Sequence, residues 1–224
     1  MLTPIGRYKN EAGTLVGCEV FDSSHIYCFD ESTVIRLSAD IDTGNIDAMA
    51  KAPFHHSTIL DVAVTNREIC VITSDGLMTS LECEVLTHEK EVNLASCGLS
   101  RAVICKSDPT VVAFVSFGAL QIRLADGRIV FRRDMNGINA SLDHLNFDRR
   151  DCLLLRDDKV VEVYRAGKDY VEELFTHDGH RYEVTCVCTH PKVKGLHFSS
   201  DLNGSLHAWL YATPTSKEEV PTPL

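Results

Sequence analysis

The 224-residue sequence lacks features that mark several large classes of protein. No stretch approaches the roughly 18 uninterrupted apolar residues of a membrane-spanning helix. The N-terminal residues contain no apolar segment typical of a secretory signal. Lys and Arg number 22 against 32 Asp and Glu, so the formal net charge is −10. The electrostatic field of such a molecule would repel the phosphates of nucleic acid. We therefore expect an intracellular protein, cytoplasmic or nuclear, that binds neither nucleic acid nor membrane directly.

Catalytic motifs are also missing. The sequence contains no Gly-x-Ser-x-Gly elbow, no phosphate-binding Gly-x₄-Gly-Lys-Ser/Thr loop and no His-Glu-x-x-His motif. The neighbouring acids Asp157 and Asp158 do not form a catalytic pair, because adjacent strand residues point to opposite faces. The sequence therefore predicts a protein that is not an enzyme.

The nine cysteines are an odd number in a chain long enough to form a core. Without a sign of export, we interpret them as free thiols, most of them small buried side chains. Candidate metal ligands are densest near the end of the chain. They are His177, His180, Cys186, Cys188, His190, His197 and His207. The Cys-x₂₋₄-Cys spacing of zinc sites is absent, so we expect no metal and no cofactor, with Cys186 and Cys188 packed between sheets.

Short apolar runs take the place of helical periodicity. Runs rich in Val, Ile, Cys and Phe alternate with Gly, Asp, Asn and Ser, which indicates β-strands. The second set, for example, comprises Ile59–Val64, Ile69–Thr73, Leu77–Leu81 and Glu91–Ala95. Sets of such runs begin near residues 15, 59, 102, 138 and 184. A four-stranded unit repeated about every 40–45 residues is the period of a β-propeller blade. The sequence thus predicts an all-β propeller of about five four-stranded blades over residues 1–212.

The fifth set shows only three strands, which leaves two arrangements open. The segment from Thr3 to Lys9 could supply the missing outer strand and close the ring. Alternatively the propeller is open and a strand from a partner completes it. Residues 213–224, with prolines among Ser, Thr, Lys and Glu, are predicted to form a disordered tail.

The fifth set also resembles a WD-repeat, because Gly179-His180, a Val-rich strand, a Ser-rich strand and Trp209 occur in the expected order. In this family a loop His, a strand Ser or Thr, a turn Asp and the Trp form a structural network. The resemblance implies structural roles for His180 and Trp209. It assigns Asn203 to the turn position and Asp201 to the Ser/Thr position.

The second set resembles a WD-repeat more weakly. His56, Thr73 and Asp75 match the network, which implies a structural role for His56, while Leu81 replaces the Trp. No Trp-Asp dipeptide occurs in the sequence. The segment from His55 to Val62 and the last repeat are also similar to blades of a small WD-repeat nucleoporin, which implies a location at the nuclear pore.

A propeller of this family gathers the loops between blades, and the turns between second and third strands, on one face. The aromatic and acidic residues that this face would carry include Phe54, His55, Asp75, Phe117, Asp157 and Asp158, with Asp30, Glu31 and Asp178 beside them. Aromatic anchors in an acidic rim suit a basic or Arg-bearing peptide. Alternatively, the two rings pack beneath the loops and the acids only confer solubility.

The sequence therefore predicts a non-enzymatic protein–protein interaction scaffold, a subunit of a hetero-complex. The alternative is a propeller-based hydrolase, such as a methylesterase of the diphthamide type.

Overall fold

The computed structural model describes residues 8–10, 13–40, 42–65, 68–94, 99, 101–135, 140–147, 150–190, 192–193 and 195–210. Every regular element in these ranges is a β-strand. Since the described residues form no helix, none of their elements is a helix able to cross a membrane.

In the described part of the chain, nineteen strands form five antiparallel sheets, each built from consecutive strands. The first sheet contains β1 Gly17–Val20, β2 His25–Phe29, β3 Thr33–Ala39 and β4 Ile46–Pro53. The second contains β5 Ile59–Val64, β6 Glu68–Thr73, β7 Leu77–Glu82 and β8 His88–Asn93. The third contains β9 Arg101–Ile104, β10 Val111–Ser116, β11 Ala119–Leu124 and β12 Ile129–Asp134. The fourth contains β13 Ser141–Phe147, β14 Arg150–Asp157, β15 Val160–Gly167 and β16 Tyr170–His177. The fifth contains β17 Val184–Thr189, β18 Leu196–Asp201 and β19 Leu206–Leu210. The predicted all-β fold with five sets of strands is confirmed.

In the second and third sheets the strands become more polar towards the last strand. All residues of β10, the second strand of its sheet, are buried, because both faces of that sheet are covered by neighbouring sheets. The last strand β8, with the sequence His-Glu-Lys-Glu-Val-Asn, is almost entirely exposed. This gradient places the core between the inner strands and leaves the outer strands at the rim.

Hydrophobic clusters join each sheet to the next. Tyr27 and Phe29 of the first sheet pack with Val62 and Ile69 of the second, and three further clusters join the remaining consecutive pairs. Consecutive sheets therefore bury apolar faces against each other, as propeller blades do.

A polar link also joins first strands across three sheets. Asp61 Oδ2 on β5 accepts a hydrogen bond of 2.7 Å from the backbone N–H of Ile104 on β9. The same oxygen lies 3.2 Å from His144 Nε2 on β13. One carboxylate thus connects the second, third and fourth sheets at their first strands.

A fifth hydrophobic cluster contains Cys28, Ile35 and Leu37 of the first sheet, with Tyr8 packed against it. Tyr8 and Lys9 are the described residues of the predicted closing strand, and neither is in a strand. The rest of that segment lies outside the described residues, as does the predicted tail at 213–224. Closure by this segment, the tail and the domain bounds stay predictions.

The eight described cysteines are all free thiols, and four of them are buried. Burial raises the pKa of Cys28 to about 11 and that of Cys70 to about 12, so both stay protonated. Cys186 and Cys188 are exposed, which corrects the expectation that they pack between sheets. They lie on the face of β17 turned away from the cluster that joins the fourth and fifth sheets.

Candidate functional site

The turns between second and third strands meet the loops between sheets at one end of the molecule. Backbone hydrogen bonds join Phe54 N to Ser32 O at 2.7 Å, and Leu94 N to Gly76 O at 2.9 Å. A similar bond joins Met135 N to Gly118 O at 2.8 Å. We call this end the loop face; its described parts are the turns at 30–32, 74–76, 117–118, 158–159 and 202–204 with the loops at 54–58 and 178–183.

The structure divides the residues predicted for this face into an exposed and a buried group. His55, Asp75, Phe117 and Asp158 are exposed. Phe54 and Asp157 are buried and have little surface to offer a partner.

Each buried residue has a packing partner that explains its position. The Phe54 ring belongs to the cluster between the first and second sheets, with its centroid 5.3 Å from that of His88. Asp157 ends β14 with its carboxylate directed inward, where Oδ2 lies 3.9 Å from Arg133 Nη2. The burial of Phe54 fits the alternative in which the ring packs beneath the loops. Asp157 was assigned to the surface because the sequence does not show which neighbouring sheet covers it.

Phe117 occupies an unusual turn. Ser116 pairs with Ala119, so Phe117 and Gly118 form a two-residue hairpin loop, with φ of +50° and +70°. Turns of this kind favour Asn or Gly, because positive φ costs other residues about 1 kcal/mol. The Phe117 side chain is nonetheless 89% exposed. The aromatic ring of Phe117 is therefore exposed to solvent on a strained backbone.

The sequence analysis missed two further apolar side chains on the loop face. Tyr182 is 49% exposed in the loop before β17, and Leu202 is 67% exposed in the turn after β18. The two segments are in contact, since Leu202 N donates to Glu183 O at 2.9 Å. Leu202 had a sequence signal, because it stands between Asp201 and Asn203 in a turn.

In the fifth sheet a hydrogen-bond network connects four buried side chains. His180 Nε2 lies 2.6 Å from Ser199 Oγ, and His180 Nδ1 lies 3.3 Å from Asp201 Oδ2. Trp209 Nε1–H donates to the same Ser199 Oγ at 3.2 Å. The structure thus places Ser199 and Asp201 in this network, and not Asp201 and Asn203 as the spacing suggested.

The correction follows from the alternation of β18. His197, Ser199 and Asp201 share its buried face, whereas Asn203 lies beyond the strand in an exposed turn. The backbone N–H of Asn203 donates to Asp201 Oδ1 at 3.1 Å. Burial alone raises the pKa of Asp201, but hydrogen bonds from Ser205, His180 and Asn203 outweigh it and lower the pKa. Asp201 is therefore an ionised anchor for the turn.

The second sheet does not form the corresponding network with His56. Thr73 Oγ1 lies 2.6 Å from Asp75 Oδ1 and 3.0 Å from the Leu77 carbonyl oxygen. His56 is exposed, and no hydrogen bond joins it to Thr73 or Asp75 within the described part of the chain. Leu81 is fully buried where the fifth sheet has Trp209. His56 therefore does not take the structural role that the resemblance implied.

Three histidines from the junction of the fourth and fifth sheets meet beside Trp209. His177 ends β16, His180 lies in the connecting loop and His207 lies on β19. Each histidine contributes one ring nitrogen, and the three nitrogens lie within 4.8 Å of one another. Among the described residues, this is the group that could hold a metal ion. Of the other candidate ligands, His197 lies stacked on the Trp209 ring, with centroids 4.8 Å apart.

Comparison with known proteins supports the fold. No family model and no curated protein matches the sequence. A chain of the mitotic checkpoint complex superposes with a TM-score of 0.67 at 14% identity, over 96% of this chain and 65% of that one. A chain of a humanized Chaetomium thermophilum Polycomb Repressive Complex 2 gives 0.63 at 12% identity, over 92% of this chain and 52% of that one.

The C-terminal WD40 domain of Sif2 gives a TM-score of 0.54 at 11% identity, over 84% of this chain and 66% of that one. The chain thus spans between 52% and 66% of the length of these three matched chains. The repeated four-stranded sheets, the His–Ser–Asp–Trp network and these superpositions agree, so the chain has the fold of a WD-repeat β-propeller.

Proposed function

We propose that the chain is a non-enzymatic scaffold that binds a basic or Arg-bearing segment of a protein partner on the loop face, as a subunit of a hetero-complex. Structures with the same fold include chains of the mitotic checkpoint complex and of Polycomb Repressive Complex 2, both multiprotein assemblies. An intracellular location, in the cytoplasm or nucleus, is part of the proposal. Microscopy of the fluorescently tagged protein tests it, with staining of the nuclear rim as the outcome for a pore subunit.

The observation that carries the proposal is the exposed Phe117 ring on a positive-φ backbone. Local strain of this kind persists where a functional requirement opposes the cheaper residue. Exposed aromatic rings are typical hot spots of protein interfaces. Leu202 and Tyr182 add apolar surface to the same face.

The exposed charges on the loop face favour a basic partner. Glu31, Asp75, Asp158 and Asp178 are exposed there, against Lys159 and Arg181 as the exposed basic residues of its described loops and turns. Exposed acids of this kind accelerate encounter with a cationic segment more than they increase affinity. The association rate should therefore fall steeply as salt is added.

The test compares Phe117→Asn with Met49→Asn, because Met49 is an exposed apolar residue on the outer strand β4. Each variant and the unmodified protein capture partners from extracts of the source cells, and the bound proteins are quantified by mass spectrometry. We expect Phe117→Asn to lose a stoichiometric partner that Met49→Asn retains. Asp75→Asn should slow association and reduce its salt dependence. Equal capture by all variants, or no stoichiometric partner at all, would contradict the proposal.

A hydrolase is the alternative, and one observation bears on it. Ser199, His180 and Asp201 have the order of a nucleophile, base and acid, but all three are buried. The Ser199 hydroxyl also accepts the Trp209 indole N–H, which ties it into the sheet. A fluorophosphonate probe for activated serines should therefore leave Ser199 unlabelled, whereas labelling would favour the hydrolase.

A further inference from the structure

We propose that His177, His180 and His207 bind one divalent transition-metal ion, Zn²⁺ in the first place, at the junction of the fourth and fifth sheets. Neutral imidazole nitrogens suit Zn²⁺, Cu²⁺ and Ni²⁺. Three histidines with an open fourth position form a known type of zinc coordination. The proposal does not depend on the loop-face function.

The distance between two of the nitrogens fits tetrahedral coordination. His177 Nε2 and His207 Nδ1 lie 3.3 Å apart. Zinc–imidazole bonds of about 2.0–2.1 Å place two nitrogens of a tetrahedral site about 3.4 Å apart. The two rings are inclined by 73°, so they approach from different directions. The pair is thus arranged to chelate an ion with little movement.

Gly179 leaves the space beside these nitrogens free of a side chain. A Cβ atom at Gly179 would lie 3.3 Å from His177 Nε2 and 3.4 Å from His207 Nδ1, and only 2.9 Å from His177 Cε1. Gly179 is not among the glycines with positive φ, so its backbone does not itself require glycine. The lack of a side chain at Gly179 therefore keeps the space around the two ring nitrogens open.

His180 is the third ligand, and both of its ring nitrogens already have partners. Of these, Asp201 at 3.3 Å is more distant than Ser199 at 2.6 Å. Asp201 also lines the same surface pocket as His207. If the ion replaced Asp201 as the partner of His180 Nδ1, the bond from His180 Nε2 to Ser199 would remain, and the hydrogen-bond network of the fifth sheet would be disturbed least.

A surface pocket gives an ion access to His207. The pocket has a volume of about 460 Å³ and is also lined by Tyr182 and Ser205. It provides an entry path and room for a water molecule as the fourth ligand. A bound ion would join β16 to β19 and so connect the two sheets.

Trp209 offers a direct readout, because it is the only tryptophan and its ring stacks on His177 with centroids 5.4 Å apart. Tag-free protein is stripped with a chelator and titrated with Zn²⁺ by calorimetry. We expect one Zn²⁺ per chain. Cu²⁺ should quench Trp209 fluorescence, and Zn²⁺ should compete with this quenching. Zn²⁺ at 100 times its Kd should raise the folding equilibrium constant about 100-fold.

The variants identify the ligands. His177→Gln and His207→Gln should each weaken Zn²⁺ binding more than tenfold, and Gly179→Ala should weaken it without removing a ligand. His56→Gln removes an exposed histidine of another sheet and should bind Zn²⁺ as the unmodified protein does. An unchanged Trp209 emission maximum in metal-free variants shows that the fifth sheet is folded. No uptake by the unmodified protein, or equal uptake by His207→Gln, would overturn the proposal.

Discussion

His197 should make the protein acid-sensitive. Its side chain is fully buried on β18, with Nδ1 3.2 Å from Thr189 Oγ1 and its ring stacked on Trp209. Burial lowers the pKa of His197 from 6.5 to about 4. The folded protein therefore holds this imidazole neutral at pH values where the unfolded chain protonates it.

The size and sign of the effect follow from linkage. Between about pH 6.5 and 4 the unfolded state binds more protons at this position, so the free energy of unfolding falls as the pH falls. At about 1.4 kcal/mol for each pKa unit, the difference between 6.5 and about 4 amounts to about 3.5 kcal/mol. The stabilisation is complete above pH 6.5 and is lost on acidification through that window.

Urea unfolding followed by Trp209 fluorescence measures the free energy of unfolding at pH values from 7.5 to 4.5. The protein is metal-free, and it is kept dilute because the isoelectric point of about 5.4 lies within this range. His197→Gln is the control, since it keeps a polar side chain that does not titrate. We expect the unmodified protein to lose about 3 kcal/mol more than this variant across the range. Parallel pH profiles of the two proteins would refute the reasoning.

Three further predictions concern stability in urea at neutral pH. Ser199→Ala leaves His180 and Trp209 without the hydroxyl that both contact, and should lower the free energy of unfolding by about 2–4 kcal/mol. The control Ser200→Ala, on the opposite face of β18, should lower it by less than about 1 kcal/mol. Glu162→Gln removes the buried carboxylate that pairs with the part-exposed Arg133 and should cost about 2 kcal/mol; no loss would show that this pair is not stabilising. Phe117→Asn should be neutral or stabilise by up to about 1 kcal/mol, because Asn tolerates positive φ, and clear destabilisation would contradict the strained turn.

The strands could be predicted from the sequence because their signals are local. Strand β5 at Ile59–Val64 has the predicted bounds, since apolar residues and turn residues mark both ends. Strand β8 was predicted at Glu91–Ala95 and lies at His88–Asn93. It lies at the polar rim, where apolar periodicity gives no signal. Asp75, matched to the turn position of the repeat, does lie in a turn, and positive φ at Gly76 is a local requirement of that turn.

The candidate sites depended on contacts between sheets, which the sequence does not encode locally. Phe54 and Phe117 both stand beside polar loop residues, yet one ring fills the space between two sheets and the other lies in solvent. His177 and His207 are 30 residues apart and meet only because the fourth and fifth sheets are adjacent. Only the fold reveals such pairs.

Among the described residues, the full polar network occurs in a sheet that has apolar cover on one face. Trp209 packs edge-on against Phe175 of the fourth sheet, with centroids 4.7 Å apart, while Leu206 and Leu210 on the opposite face of β19 are exposed. In a repeat architecture each unit gains stability from its neighbours, so a sheet covered on one face depends more on its internal bonds. The second sheet packs against sheets on both sides, and there the buried Leu81 suffices in place of Trp209. In the described part of the chain, the repeat motif is therefore best preserved where hydrogen bonds supplement apolar packing on one face.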